Sequence, residues 1–210
     1  MRSRKHRWLR RTSWALMSIG VLLIAYVGVL VGYQSIQQHR LESAWNSAHP
    51  AGTVADAKPA ASGASAVAFT QLQPHLADGQ PLARLTIPRI NFEAIVTEGS
   101  DSGILSSGPG HEDHTGYPGE GRIILIGNHN GFSLSWGDLH PGDTIRLEMG
   151  YGRYTYTIQK REIVDGNDES VVRSPEPGEH LYLTTCWPLW EGALAGQRLV
   201  FIADPTGSKA

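Results

Sequence analysis

The segment Tyr182-Leu183-Thr184-Thr185-Cys186-Trp187-Pro188 contains the only cysteine of a 210-residue chain. A short run of tyrosine, leucine and threonine residues favours a buried β-strand. Pro188 has no backbone N–H and cannot continue a central strand. We therefore predict that the strand ends just after Cys186 and leaves the thiol near the rim of a sheet.

A second strand signal follows at residues 197–203, after a connection of about nine residues that can fold back on the first strand. This arrangement would bring Arg198 beside Cys186. A nearby guanidinium stabilises the thiolate, which is the form of cysteine that attacks a carbonyl carbon. We expect Cys186 to be a nucleophile, although composition alone is equally compatible with a small buried apolar side chain.

The N-terminal part of the chain predicts a membrane anchor. Six cations precede the uncharged residues 14–33, and these twenty residues match a bilayer core of roughly 30 Å at about 1.5 Å per helical residue. The next cation is Arg40, so the charge asymmetry predicts a single-pass protein of the cell membrane with a cytoplasmic N-terminus and an extracytoplasmic remainder. A cleaved signal peptide is disfavoured, because the run exceeds a usual h-region and no small-x-small site follows it directly.

Changes in composition predict the remaining organisation. Residues 49–68 are dominated by alanine, glycine, serine and proline, which is typical of a flexible linker. Without the six N-terminal cations, twelve basic residues face twenty acidic ones, and this net charge of about −8 argues against nucleic-acid binding. The predicted parts are a basic cytoplasmic flank (1–13), a transmembrane signal anchor (14–33), a stalk and linker (34–80), a catalytic domain (81–205) and a tail (206–210).

From about Leu82 the sequence consists of short β-type runs separated by glycine, proline and aspartate. Seven or eight short strands in about 125 residues predict an all-β domain, either a closed barrel or a sandwich. Brief helices are expected at residues 101–106 and 133–139. The predicted strands comprise residues 84–90, 92–97, 122–126, 144–149, 153–164, 181–186 and 198–203.

A cysteine nucleophile needs a base or a cation as partner, so histidines in loops after strands are candidates. His129 is the best placed of them. It follows the apolar strand 122–126 within Gly127-Asn128-His129-Asn130-Gly131, where the flanking glycines permit a sharp turn. The alternative is a turn histidine exposed to water. His140 precedes a Pro-Gly-Asp turn, and His180 opens a strand.

Two clusters suggest a possible metal site. His111 and His114 lie in a glycine-rich loop without a firm third ligand, so solvated polar groups are favoured over a metal ion. Asp165, Asp168 and Glu169 could surround calcium, but their spacing does not match an EF-hand, and a plain acidic loop is favoured. We predict no bound metal and no cofactor.

Together these features resemble the sortases, a family of membrane-bound cysteine transpeptidases. Sortases have a Thr-Leu-x-Thr-Cys strand, a Gly-x-His element before it and an arginine after it. In this chain Tyr182 stands where the first threonine is usual, and the other fixed positions match, at Leu183, Thr185 and Cys186. The Cys-Trp-Pro-Leu sequence looks most like that of the class D sortases. The resemblance covers about residues 82–205 plus the anchor.

The resemblance implies an eight-stranded sortase-type β-barrel and a two-step acyl transfer. Cys186 would attack the threonine carbonyl of an LPxTG-like sorting signal, and an amine from a cell-wall precursor or a pilin lysine would release the thioacyl enzyme. His129 would act as general acid and base, and Arg198 would hold the substrate or the oxyanion. Thr185 and Trp187 flank the cysteine and are expected to bind substrate.

Other classes fit the sequence less well. Papain-like hydrolases place the cysteine before the histidine, which reverses the order found here, and the L,D-transpeptidases have a Ser/Thr-His-Gly-Cys element that this chain lacks. A membrane-tethered, extracytoplasmic β-domain that binds an envelope partner without catalysis is the remaining alternative. It predicts that Cys186 is buried and inert, so thiol labelling distinguishes it from an enzyme.

Overall fold

The computed structural model describes residues 2–50, 76–168 and 178–206. The first element is a long helix, α1 (Arg2–Ala48). The part of this helix from Arg11 to Ala48 is long and apolar enough to cross a membrane, judged by length and composition. Side chains such as Leu22, Ile24 and Val29 on this helix are exposed. The predicted linker, residues 51–75, lies outside the described residues.

The chain divides into two compact units, Met1–Gln37 and Gln38–Ala210. The second contains a closed barrel whose strands neighbour one another in the order β1-β2-β3-β4-β7-β8-β6-β5. The predicted eight-stranded β-barrel with short helices is thus confirmed. The strands are β1 (Pro81–Ile87), β2 (Phe92–Glu98), β3 (Gly110–His111), β4 (Ile123–Asn128), β5 (Thr144–Met149), β6 (Gly152–Asp165), β7 (His180–Trp187) and β8 (Gln197–Pro205).

Short helices connect some of these strands. Among the described residues, two are α-helical, α2 (Ser102–Leu105) and α3 (Asn130–Ser133), and three are 3₁₀ turns, Pro88–Ile90, Leu134–Asp138 and Gly192–Leu194. The first strand was predicted to continue to residue 90, but it ends at Ile87 because Pro88 cannot donate to the ladder. Strand β3 was not predicted, since two residues carry no periodicity.

The barrel interior is filled by alternate side chains of the strands. In β5, Ile145, Leu147 and Met149 are buried and the residues between them face outward, as the two-residue period of a strand requires. Trp136, from the turn after α3, closes part of this core, and its ring meets Phe92 edge-on at 5.7 Å between centroids. The core therefore holds the strand ends in place.

The last turns of α1 pack against the barrel. Strand β2 pairs with β3 only at Thr97 and Glu98, which leaves the backbone of Ile95 unpaired on that side. The side-chain amide of Gln38 fills this edge: it accepts from Ile95 N–H at 2.9 Å and donates to the carbonyls of Ile95 and Ser107 at 3.3 and 2.7 Å. A strand edge covered in this way cannot pair with another chain.

Trp45 extends the same contact. It is 2% exposed and stacks on His49 with ring centroids 4.0 Å apart, while the adjacent Asn46 accepts a hydrogen bond from Arg84 on β1 at 2.6 Å. Residues 38–49, which fall within the predicted stalk and linker (34–80), thus contribute to the packed unit.

We predict that Trp45→Ala lowers the free energy of unfolding by about 3–5 kcal/mol, because it removes a buried aromatic side chain and leaves a cavity. Chemical denaturation of the full chain in detergent measures the change. Trp190→Ala is the matched control: Trp190 is 80% exposed, and its loss should change stability by no more than about 0.5 kcal/mol. Equal midpoints for the two variants would show that residues 38–49 do not dock.

Tyrosines gather where β4 and β7 begin, at the end of the barrel away from Cys186. Tyr156 donates to Glu179 at 2.6 Å, and Tyr151 donates to the carbonyl of Pro118 at 3.1 Å. Burial, and secondarily the charge of Glu179, raises the pKa of Tyr154 to about 12 and raises the pKa of Tyr156 well above its ordinary value.

These raised pKa values predict alkaline sensitivity. The folded protein binds the phenolic protons more tightly than the unfolded chain does, so their stabilising contribution is complete below the ordinary tyrosine pKa of about 10 and is lost as the pH rises through the folded value, about 12 for Tyr154. We expect the free energy of unfolding to fall across this window, measured by denaturation at several pH values. Normal titration of all seven tyrosines in the native protein would contradict the assignment.

Candidate active site

Cys186 and Arg198 are direct partners in the antiparallel ladder between β7 and β8. Their neighbours Thr185 and Leu199 are buried towards the interior, so Cys186 and Arg198 share the outer face. Directly opposed residues have Cβ atoms about 4.5–5.5 Å apart. The free thiol is partly exposed. Cys186 and Arg198 are therefore neighbouring residues in the sheet, as predicted. Strand β7 ends at Trp187, directly before Pro188.

The guanidinium of Arg198 is held by the backbone. Its Nη1 donates to the carbonyls of Gln197 and Ala195 at 3.1 and 3.4 Å. Within the described ranges no acidic side chain forms an ion pair with Arg198. A guanidinium held in this way can serve as an anion-binding group beside the thiol.

His129 lies at the same edge of the sheet. Strands β4 and β7 are parallel, and their ladder ends with Asn128 opposite Thr185. His129 is the next residue, has an extended backbone and caps the start of α3. His129 and Cys186 directly follow the last paired residues of these two strands. Because the carboxyl ends of parallel strands meet at one edge of a sheet, both residues lie at that edge. The strand register brings the backbone of His129 to the edge where Cys186 and Arg198 lie, and the catalytic roles of the three residues stay a prediction.

A buried pair of hydroxyl groups connects these two segments. Ser133 Oγ lies 2.5 Å from Thr185 Oγ1 and 3.1 Å from the carbonyl oxygen of His129. Ser133 and Thr185 are 0% and 1% exposed. Thr185, expected to bind substrate, is thus engaged by the protein itself. Ser133 was missed, although a serine four residues after a histidine in a short helix is a known pattern of side-chain to backbone bonding.

Trp187, the other expected substrate residue, packs partly against the core. The guanidinium carbon of Arg161 lies 5.4 Å from the centroid of its ring, within the range of a cation–π contact. The contact of Arg161 with Trp187 was not predicted, because Arg161 lies on β6, which β8 separates from β7 in the sheet.

Asn128 is an unusual residue for the end of a core strand. It is 3% exposed, and neither atom of its side-chain amide has a hydrogen-bond partner within the part of the chain that the structure describes. Leaving a buried amide unsatisfied costs about 1–3 kcal/mol. Such groups concentrate at functional sites, and Asn128 directly precedes His129.

Three large apolar side chains are exposed near these residues. Leu134 directly follows α3 and is 63% exposed, while Trp190 and Leu194, in the connection from β7 to β8, are 80% and 89% exposed. Helix α3 and the turn Gly192–Leu194 contact each other, so both connections border one region. These connections follow the strands that bear His129 and Cys186, so the three side chains are candidates for a binding surface.

The remaining histidines have other roles. His111 was expected in a solvated loop, but it is 1% exposed on β3: its Nε2 donates to the carbonyl of Gly116 at 2.9 Å, and its Nδ1 lies 3.1 Å from Glu98. Its contact with Glu98 could not be predicted from the residues around His111, because Glu98 lies on another strand, β2. His140 lies in the expected turn, where its backbone N–H donates to Asp143 at 2.8 Å.

Among the described residues, neither of the two candidate metal sites forms a buried cluster of ligands. Ligand atoms of Glu112, Asp113 and His114 lie within 4.8 Å of one another, but Asp113 and His114 are exposed and exposed acidic groups are common on protein surfaces. In the acidic loop, Asp165 accepts from the backbone N–H of Asn167 at 2.9 Å, as in an ordinary turn. Glu169 lies outside the described residues.

Comparison with known proteins agrees with this geometry. A family model described as a sortase domain matches residues 85–206. The chain belongs to the sortase family. It is 41% identical to Sortase D of Bacillus subtilis (strain 168) over 111 residues, which are 52% of this chain and 56% of that protein. The chain therefore aligns with little more than half the length of this curated relative.

Solved sortase structures share the fold. A Sortase D5 transpeptidase from Clostridium perfringens superposes with a TM-score of 0.58 at 20% identity, over 69% of this chain and 91% of the other. Sortase E from Streptomyces avermitilis superposes with a TM-score of 0.54 at 26% identity, over 62% of this chain and 90% of the other.

The partial exposure of Cys186 generates a prediction. A small methanethiosulfonate reagent should modify the native protein stoichiometrically at one site, and Cys186→Ala should not be modified. Intact-mass spectrometry measures the adduct. Modification that requires unfolding in urea would instead show an inert, buried thiol and favour the non-catalytic, membrane-tethered domain.

Proposed function

We propose that this sortase is a membrane-anchored cysteine transpeptidase that cleaves an LPxTG-like sorting signal and transfers the protein to an amine at the cell envelope. The observation that carries this proposal is the strand register, in which Cys186 faces Arg198 across β7 and β8 while His129 follows the strand beside them. In the proposed mechanism these residues serve as nucleophile (Cys186), anion-binding group (Arg198) and proton carrier (His129) at one rim of the barrel.

In the first step, the thiolate of Cys186 attacks the carbonyl carbon of the threonine in the signal. A C–S bond forms, and the electron pair of the carbonyl moves to oxygen, where the guanidinium of Arg198 stabilises the negative charge. When the tetrahedral intermediate collapses, the C–N bond to the next residue breaks. Protonated His129 gives its proton to the leaving amine, and a thioester on Cys186 remains.

In the second step, an acceptor amine attacks the thioester carbon. Neutral His129 takes the proton that this nitrogen loses, a new C–N bond forms, and the C–S bond breaks to return the thiolate. The histidine thereby recovers the proton that it gave away, so one turnover leaves the enzyme unchanged. A cell-wall precursor or a pilin lysine provides an amine of the required kind.

The apolar residues near the site support a sorting signal as substrate. An LPxTG-like segment presents a leucine and a proline before the cleaved bond, and Leu134, Trp190 and Leu194 offer exposed apolar surface in the connections that follow β4 and β7. A related structure, of Clostridium perfringens sortase C, was solved with a C-terminal cell wall sorting motif. The membrane helix would hold this chemistry at the outer side of the cell membrane.

We expect Arg198→Lys to lower kcat/KM for an LPxTG-type peptide by at least 100-fold, because a single ammonium cannot reproduce the fork of guanidinium donors that holds an oxyanion. Turnover of a fluorogenic peptide in the presence of a small amine measures the change. Cys186→Ala sets the background and should show no transfer.

Arg122→Lys is a matched control for this substitution, since Arg122 is exposed beside Glu120 at the other end of β4. It should retain full activity. Full activity in Arg198→Lys would remove Arg198 from the site, and transfer by Cys186→Ala would refute the proposed mechanism.

A further inference from the structure

We infer that Ser133 is a positioning residue, which fixes His129 relative to Cys186 through its hydrogen bonds to the His129 carbonyl and the Thr185 hydroxyl. This inference rests on the proposed function, since it concerns two groups that act on the same substrate bond. Ser133 itself is fully buried and therefore has no surface that a substrate can reach.

Among the described residues, the backbone ladder between β4 and β7 does not extend to His129. The parallel ladder between β4 and β7 ends at Asn128 and Thr185, so His129 lies one residue beyond the last paired position. Its carbonyl turns into α3, where it accepts from Phe132 N–H at 3.1 Å. This local bond ties His129 to its own helix and not to the strand that holds the thiol.

Ser133 provides the connection across the two strands. A carbonyl oxygen can only accept, so the Ser133 hydroxyl donates to His129, and its oxygen accepts from the hydroxyl of Thr185. The resulting chain of two hydrogen bonds runs from the residue before Cys186 to the backbone of His129. Both hydroxyl groups are shielded from water, where such bonds are stronger and their loss is less easily compensated.

The consequence is a constraint on distance. Proton transfer between His129 and the groups that leave or enter at Cys186 requires heavy atoms about 2.6–3.2 Å apart. A shift of α3 by about 1 Å is enough to lower the rate on the order of 100-fold. The hydroxyl bridge thus affects the acyl-transfer steps, whereas the reaction of the thiol with a small reagent needs no histidine.

The experiment uses the full chain with three variants, Ser133→Ala, Thr185→Val and the double variant. We expect Ser133→Ala to lower kcat about 10- to 100-fold with KM changed less than about twofold. Labelling of Cys186 by a methanethiosulfonate should stay within about twofold of the parent rate. Because both hydroxyls act through one bridge, the double variant should be no slower than the slower single variant.

Ser47→Ala is the matched control, because Ser47 makes the same local bond to the carbonyl four residues earlier, at 2.7 Å, on an exposed face of α1. It should leave kcat unchanged. The inference is overturned if Ser133→Ala keeps kcat within about threefold, if labelling falls in parallel with kcat, or if the effects of the single variants multiply in the double variant.

If the parent chain turns over no sorting peptide, the proposed function is refuted but the role of Ser133 is not. A second measurement then tests whether the Ser133 hydroxyl holds the segment of His129 in place. Hydrogen exchange of the amides in residues 129–134 should accelerate at least tenfold in Ser133→Ala, while exchange within β5 and β6 stays unchanged. Unchanged exchange in residues 129–134 would show that Ser133 does not hold this segment, and would overturn the inference whatever the activity.

Discussion

The hydrogen bonding of β7 to β4 on one side and to β8 on the other is the constraint on which the site depends. Both ladders reach the carboxyl end of β7, so Cys186 has Arg198 opposite it and the segment of His129 next to it. The two-residue period turns Thr185 inward and Cys186 outward. A register slip of one residue would bury the thiol and expose the threonine, which is why the core below the site matters for the chemistry.

The buried residues beneath the site are more polar than a barrel core requires. Thr185, Ser133 and Asn128 together place hydroxyl and amide groups where leucine or valine would pack without cost. Ser133 and Thr185 bond to each other, and Ser133 also donates to the His129 carbonyl. The amide of Asn128 has no hydrogen-bond partner among the residues described. Such a polar layer restricts the geometry of the rim at the expense of stability, a balance common in enzyme sites.

The sequence predicted β4, β7 and β8, because each is an apolar or β-branched run of several residues next to a glycine or proline, at Gly121, Pro188 and Gly196. It did not predict β3, the docking of Trp45 or the hydroxyl bridge, since each depends on contacts between distant parts of the chain. The burial of His111 was wrongly predicted for the same reason: glycine and acidic neighbours indicate a loop, and the partner Glu98 lies on another strand. The roles of Cys186, His129 and Arg198 came from residue chemistry and family resemblance, and the structure adds their register.

The central claim is that the Cys186 sulfur carries the acyl group between the two halves of the reaction. The most direct measurement incubates the chain with an LPxTG-type peptide, quenches in acid and locates the modified residue by peptide-mapping mass spectrometry. The account predicts an added mass equal to the peptide through its threonine, on Cys186 alone, which disappears when an amine is supplied. Cleavage of the peptide with no adduct, or with an adduct on another residue, would contradict it.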